Sequence, residues 1–501
     1  MTVIFAPPAA HAVDGRHHSA AAQGNAEAAA AATRALLDAL SGTADHERIL
    51  LKAAAGAGKS YALVKMVQAA VGHEQCRRVA VIAFTNRQLH PLASKLGEAL
   101  GADKVCLFVK ATTISDLPEA AANHATVVST AKDIPPETQV LIATSHKLGA
   151  IGELKRHHDY LGPGCNGSSP YDVLFVDEAW QLAHHLFDKV TKAAPLWVGV
   201  GDVGQLPPLE VGTNPWRGDP GYNPYRAWPT DYDHDDLTWS RELPAVWRPA
   251  AGHLALWRAF YPEWSQLDCV AAPGDRSLET PLEGDVGDIW RQVGTGVPTL
   301  LEVEGLPDPE AADVDLPLMH VVEGLLDALF VAGFSLESAE YADDATPTGR
   351  RVVVGPRGAN GDQLISILAT RNQAVDDAEA AVARLREKHD LGPRDLLSST
   401  VDSYQGQTNG ITVALHPLTG ATSLNEFNSA FGRLAVTCTR ATHGLLMVAR
   451  AGLDQLLGDA PARPGTPFGE PGTRQLPRQT HQRILATFSR GTFTVTSDRE
   501  S

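Results

Sequence analysis

Cysteine is scarce in this sequence. Cys76, Cys106, Cys165, Cys269 and Cys438 are the only five in 501 residues, and they stand far apart. With no C-x-x-C pair and no close Cys/His cluster they suggest neither a disulfide framework nor a zinc module, and they read as reduced, structural thiols. An apolar run of membrane-spanning length is also missing, and the opening MTVIFAPPAAHA has neither a basic start nor a long apolar core. No membrane contact and no signal peptide are expected, so the chain is read as cytoplasmic. Positive charge is in deficit: 42 Lys and Arg against 59 Asp and Glu leave a formal charge of −17. That charge repels phosphate backbones at long range and argues against indiscriminate nucleic-acid binding, while leaving room for a local basic channel.

What is present suits a large core. With 44% hydrophobic residues over 501 positions, the length alone allows about three domains. The residues up to Gly24 read as disordered, and the alanine-rich run from Asn25 to Leu40 as a helix. Short β-rich apolar runs then alternate with helical or irregular segments: RILLKAA, RRVAVIAFT, QVLIATSH, YDVLFVDEA and LWVGVGD. A second set follows in GRRVVVGP, LLSSTVDSYQG, GITVAL and GLLMVAR. Runs of this kind, buried on both faces, predict parallel α/β sheets in two lobes, 25–243 and 244–460. The acidic stretch from Ala271 to Asp315, interrupted by PTLLEVEG, reads as an elaboration of the second lobe. The last segment, 461–501, carries six arginines against three acids and reads as a loosely ordered basic tail with one short helix around THQRILATF.

The chemistry begins in LLKAAAGAGKSYALVKMV, residues 50–67. A phosphate-binding loop needs a delivering strand, small residues whose backbone N–H groups face the anion, and a helix start. All three are here, with Ala53 where the usual G-x-x-x-x-G-K-[ST] pattern has its first glycine. Lys59 would reach the β/γ phosphates and the Ser60 hydroxyl would ligate magnesium. VLFVDEAWQL places Asp177 and Glu178 at a strand end 118 residues after Lys59. There Asp177 is poised near the metal and Glu178 where it can polarise an attacking water.

With these two motifs the chain resembles the superfamily 1 helicases. DEAW is similar to that family's second motif and GVGDVGQLPP to its third. ELPAVWRPAAGHLALWRAFYP resembles the aromatic-Arg segment, VVVGPRGANGDQL the fourth motif, TVDSYQGQTNGITVAL the fifth and GRLAVTCTRATHGLLMVA the sixth. The closest pattern is the 5′-to-3′ branch of nonsense-mediated-decay and replication helicases. The resemblance implies two RecA-like P-loop lobes with small insertions, ATP and Mg2+ as cofactors, and ATP hydrolysis coupled to lobe closure. It implies catalytic roles for Lys59, Asp177, Glu178, Gln205, Arg248 and Arg440, with Gln205 sensing the γ-phosphate and Arg440 as arginine finger. Nucleotide contacts fall on Gly56, Ala57, Gly58, Lys59, Ser60, Tyr61, Trp247 and Gly406, and metal contacts on Ser60 and Asp177.

AFTNRQLHPLASKL is similar to the family's first groove motif. By that likeness Thr85, Asn86, Thr144, Ser145, Pro356 and Ser403 would grip single-stranded DNA or RNA. Helix capping accounts for several of these residues equally well. Thr408, where the family carries an acid, and Ala435, where it carries an asparagine, depart from the pattern, and Gln23 is a loosely spaced candidate for reading adenine. Six of the nine tryptophans lie between positions 216 and 264, where core and loop packing is a more ordinary use than base stacking. An ATP-driven switch or clamp subunit that closes on nucleic acid or a partner, with little unwinding, is one alternative function, and the acidic charge separately suggests recruitment by a protein partner. A P-loop phosphotransferase is another.

Overall fold

The computed structural model describes residues 3–11, 14–204, 208, 223–264, 266–310, 314–358, 363–370, 372–404, 406–424, 428, 431–460 and 477–495. Two parallel sheets organise them. The first has eight strands in the order Thr126–Val128, Val105–Phe108, Val140–Thr144, Val79–Ala83, Val173–Asp177, Leu196–Asp202, Arg48–Ala53 and Thr238–Glu242, every pair parallel. All five strands expected for this lobe are present. The other three were hidden from pattern reading: two have four residues or fewer, and TWSRE at the edge is polar.

Period-two alternation makes this sheet a wall between two cores. Val79, Val81, Val173 and Phe175 point into one cluster, and Ala80, Ile82, Leu174 and Val176 into the other. The central strands Val79–Ala83, Val140–Thr144, Val173–Asp177 and Leu196–Asp202 are buried on both faces and carry no polar or charged residue before their carboxyl ends. That is where an open α/β sheet places its ligands.

The second sheet runs Phe5–Ala6, Ser489–Thr494, Thr299–Glu304, Ala441–Arg450, Asn409–Leu415, Gln363–Ala369 and Leu396–Thr400. Only Phe5–Ala6 is antiparallel to its neighbour. The architecture is thus α/β with two RecA-like lobes. One continuous cluster joins them, holding Ile49 and Phe175 of the first lobe together with Leu300, Leu434 and Met447 of the second.

Four expectations are corrected. Thr299–Glu304 is no elaboration but an internal strand of the second sheet, paired on both sides. GRRVVVGP does not join that sheet. Pro347–Val354 lies antiparallel to Ser335–Tyr341, which in turn pairs with Arg276–Glu279. Val352 and Val353 stay 50% and 59% exposed, a state that an antiparallel edge tolerates and a doubly covered parallel sheet does not.

The N-terminal residues are ordered by packing. The helix His18–Leu40 starts seven residues earlier than expected, Arg16 pairs with Asp268 at 2.7 Å, and His17 Nδ1 lies 2.8 Å from the Cys269 carbonyl. Within the tail the expected short helix is present as Pro477–Leu485, but it packs instead of lying loose: it leads into Ser489–Thr494, and Ile484, Leu485 and Phe488 are buried. A net positive tail therefore carries an apolar face that composition averaged away. Residues 461–476 lie outside the described residues.

Phe488→Ala tests this directly. Loss of a fully packed aromatic is expected to cost about 3–4 kcal/mol in a urea titration, whereas the same change in a loosely ordered tail would shift stability by less than about 0.5 kcal/mol.

Candidate active site

The strand Arg48–Ala53 delivers the chain to the phosphate loop. Ala53 is its last residue, in register with Asp202, and it does not adopt positive φ, so no glycine is required there. Gly56 is different. Its φ is +74°, and a Cβ at that position would come within 2.3 Å of Arg248 Cβ. Gly58, with φ +93°, caps the helix Lys59–Val71.

The loop is clamped from outside by the segment that follows the first sheet. Trp247 and Arg248 donate backbone N–H groups to the Gly56 carbonyl at 2.8 and 3.3 Å. Trp257 Nε1 donates to the Ala55 carbonyl at 2.8 Å, and the Ala55 N–H donates to the Tyr261 hydroxyl at 3.0 Å. Asn25, buried on the first helix, donates to the carbonyls of Ala57 and Ala245 at 2.9 and 2.8 Å. Backbone groups in the loop are therefore preset before any anion arrives.

Behind the loop stand three buried carboxylates. Asp177 and Glu178 end the strand Val173–Asp177, and Asp202 ends Leu196–Asp202. Glu178 takes a left-handed conformation, φ +52° and ψ +43°, uncommon for a residue with a side chain, and its Oε1 is bonded to Lys59 Nζ. Burial opposes the charge on Lys59, but Glu178, Asp177 and Asp202 together outweigh it and hold the ammonium above its usual pKa. Asp202 accepts from the Tyr261 hydroxyl at 2.8 Å and from the Gly204 N–H at 2.9 Å. Burial nevertheless pushes its pKa up to about 6. Asp177 Oδ1 is buried without a hydrogen-bond partner among the described residues. Asp177 and Ser60 line the same cleft, and an orphaned carboxylate oxygen with a hydroxyl in one cleft suits a hard cation or one of its waters.

A cleft of about 520 Å³ lies between the lobes and gathers most of the expected nucleotide residues. Gly56, Gly58, Lys59, Ser60, Tyr61, Asp177, Glu178, Trp247, Arg248, Gly406 and Arg440 all line it. Arg440 is 1% exposed and is held by the carbonyls of Val436 and Gln407 at 3.0 and 3.3 Å and by the Thr439 hydroxyl at 2.9 Å. Burial lowers its pKa, with Asp202, Tyr261 and Glu178 acting in the other direction. Arg248 Nη1 donates to the Thr439 carbonyl at 3.0 Å, so both arginines are anchored at the same turn. Ala57 is buried and is not among the residues that line the cleft: its N–H donates to the Ala54 carbonyl at 3.1 Å and its carbonyl accepts from Asn25 at 2.9 Å. Gln205 lies outside the described residues.

Gln23 does not join the cleft. It is exposed on the helix surface and bonded to Glu27 at 2.8 Å. Ala435 is fully buried in the shared core, which explains an apolar residue at that place. Trp228 and Trp257 are buried, and Trp228 stacks on Phe187 at 4.0 Å, so at these positions the aromatic segment serves packing. Trp216 lies outside the described residues.

The expected nucleic-acid contacts divide. Thr85 is exposed at the head of the helix Asn86–Leu100, with Asn86 as that helix's first residue. Ser403 is exposed at the rim of the same cleft, and Arg87 reaches its carbonyl at 3.4 Å across the lobes. Ser145, in contrast, is 1% exposed, so its hydroxyl is withdrawn from any strand. Thr144 already accepts the Lys147 N–H at 3.1 Å, capping the short helix Ser145–Leu148. Pro356 sits half-buried in the turn after the exposed edge strand, away from the residues that line the cleft. Residue reading missed Asp202, Tyr261 and Asn25, although GVGD and the Phe-Tyr pair already held two of them.

Residues 37–210 match the family model described as an AAA domain. No curated protein matches the chain. Among solved structures it is similar to an arterivirus nonstructural protein 10 helicase in complex with DNA, at 16% identity over 82% of this chain and 62% of that one, TM-score 0.39. It is similar to the PRRSV helicase at 14% identity over 92% and 66%, TM-score 0.37. It is also similar to the DUF1998 helicase MrfA bound to DNA, at 10% identity over 91% and 52%, TM-score 0.44. The chain thus spans between about half and two thirds of those proteins' lengths.

Burial, then the neighbouring Glu178 charge, raise Asp177 to a pKa of about 6, with Lys59 opposing. Because the folded pKa lies above the unfolded one, this carboxyl favours the fold at low pH and works against it as pH rises through about 6. Asp177→Asn is expected to raise the melting temperature of the nucleotide-free protein at pH 8 by roughly 2–4 °C per kcal/mol relieved. About half of that gain should vanish at pH 5 and nearly all of it below the unfolded pKa, at about pH 3.5. Thermal scans of both proteins at these pH values check the sign.

Proposed function

We propose that this protein is a nucleic-acid-dependent ATPase, a superfamily 1 helicase or single-strand translocase that moves 5′ to 3′. The observation that carries this reading is the interlobe cleft, in which Lys59, Ser60, Asp177 and Glu178 of one lobe face Arg248 and Arg440. Phosphoryl transfer asks for this arrangement: a cradle and cation site on one side, and positive charge that completes the site on the other.

The residues act in turn. Incoming β and γ phosphates compete for Lys59 with the carboxylate that now holds it, and so free Glu178 to orient a water for in-line attack. Magnesium, held by Ser60 and by Asp177, would neutralise charge on the same phosphates. Arg248 and Arg440 stabilise the charge that builds on the transferred group. Since both are tied to the Thr439–Arg440 turn, their pull on the γ-phosphate draws the second lobe inward. Thr85, Asn86 and Ser403 present donors to a strand lying over the closing lobes, and backbone gripping of this kind carries no sequence readout.

The test is steady-state ATP hydrolysis without addition, with single-stranded DNA and with single-stranded RNA. One polymer is expected to stimulate turnover, less so at high salt. Glu178→Gln should lose about 100-fold or more in kcat while keeping nucleotide binding, and Lys59→Ala should weaken binding itself. Equal turnover by Glu178→Gln and wild type would remove the base from this scheme.

A further inference from the structure

A line of side-chain amides leads from the head of the Asn86–Leu100 helix to the carboxylate proposed as the base. The Thr85 N–H donates to Gln88 Oε1 at 2.9 Å. Gln88 Nε2 donates to Gln181 Oε1 at 3.1 Å, and Gln181 Nε2 donates to Glu178 Oε2 at 3.0 Å. Gln181 is 7% exposed, so its amide has little water to fall back on. Each glutamine accepts at its oxygen and donates from its nitrogen, which gives the line a direction. Turning either amide over would set two oxygens against each other.

The two oxygens of Glu178 therefore have different partners: Lys59 on Oε1 and Gln181 on Oε2. When phosphate takes Lys59, Oε1 is released to a water while Oε2 stays held. A carboxylate in a left-handed backbone position needs such a hold, because nothing in its own φ/ψ fixes where it points.

We infer that Gln181 is the positioning residue that aims Glu178, and that Gln88 links this aim to the occupancy of Thr85 and Asn86 by a nucleic-acid strand. The inference rests on the reading of the cleft as a nucleic-acid-dependent ATPase. It supplies a route within one lobe by which a strand bound at the head of that helix orders the cap, the cap orders Gln88, and Gln88 fixes Gln181. The proton of the attacking water goes to Glu178; the glutamines transfer nothing and only hold it in line.

The experiment measures kcat and KM for ATP, with and without the polymer that stimulates the wild type, in Gln181→Met, Gln88→Met, Gln88→Glu and the double Met variant. Met keeps the length of glutamine and removes its hydrogen bonds. Gln181→Met is expected to lower stimulated kcat about 10- to 100-fold, the scale of a small misplacement of a reacting group, with KM within about twofold. Gln88→Met should cut the ratio of stimulated to unstimulated turnover about fivefold or more, and in the double variant should add nothing to Gln181→Met, as residues acting in series do. Gln88→Glu should be worse than Gln88→Met, because it would draw the Gln181 nitrogen away and turn its oxygen onto Glu178.

Retained binding of a fluorescent ATP analogue shows that each variant is folded, and the less buried Gln88 variants carry the test if Gln181→Met is not. Wild-type kcat in Gln181→Met, or independent effects of the two Met changes, overturns the relay alone. A wild type indifferent to both polymers overturns the underlying reading and the coupling with it, and shows this before any variant is compared.

Discussion

One cation among three buried carboxylates sets the terms for this protein. Lys59 is drawn to Glu178 and balanced by Asp177 and Asp202, at the carboxyl ends of strands whose other side chains are apolar. Such a cluster is stable only while its charges match, and the buried Asp177 and Asp202 already stand at raised pKa. A polyanion entering the cleft changes every term at once: it takes Lys59, leaves Glu178 with an open oxygen, and gives Asp177 a reason to be ionised. The ion pair thus holds the empty site together and occupies one oxygen of Glu178.

The two lobes meet around this cluster. The segment from Ala245 to Tyr261 touches the phosphate loop through four hydrogen bonds, is bridged to it again by Asn25, and meets the second lobe through Arg248 and Thr439. A shared apolar cluster runs beneath. The clamp thus touches both the phosphate loop and the turn that carries Arg440.

Much of this was legible in the chain because phosphate chemistry constrains local sequence. The small residues before Lys59, the acids after a β-rich run and the Arg-containing turns each occupy one strand end, and strand ends show plainly in a parallel sheet whose interior is uniformly apolar. Val79–Ala83 and Val173–Asp177 could be read for the same reason. Harder to read were Thr238–Glu242, a polar edge, and Pro347–Val354, whose RRVVV looks buried yet lies on an exposed antiparallel sheet. Ser145 shows the limit for site residues: a hydroxyl at a strand end suits a phosphate contact or a helix start equally well, and only its burial decides.

By itself the sequence determined the α/β plan with its two parallel sheets and singled out most of the residues that line the cleft, since both depend on local patterns of two to ten residues. Only the tertiary structure decided which of them meet. That Tyr261 and Asn25 hold the loop, that Ser489–Thr494 closes the second sheet against Phe5–Ala6, and that Gln88 reaches Glu178 through Gln181 all join residues distant in the chain. Such contacts arise from packing, where the gain from burying the shared core fixes the neighbours and the buried polar groups then take the partners that remain within reach.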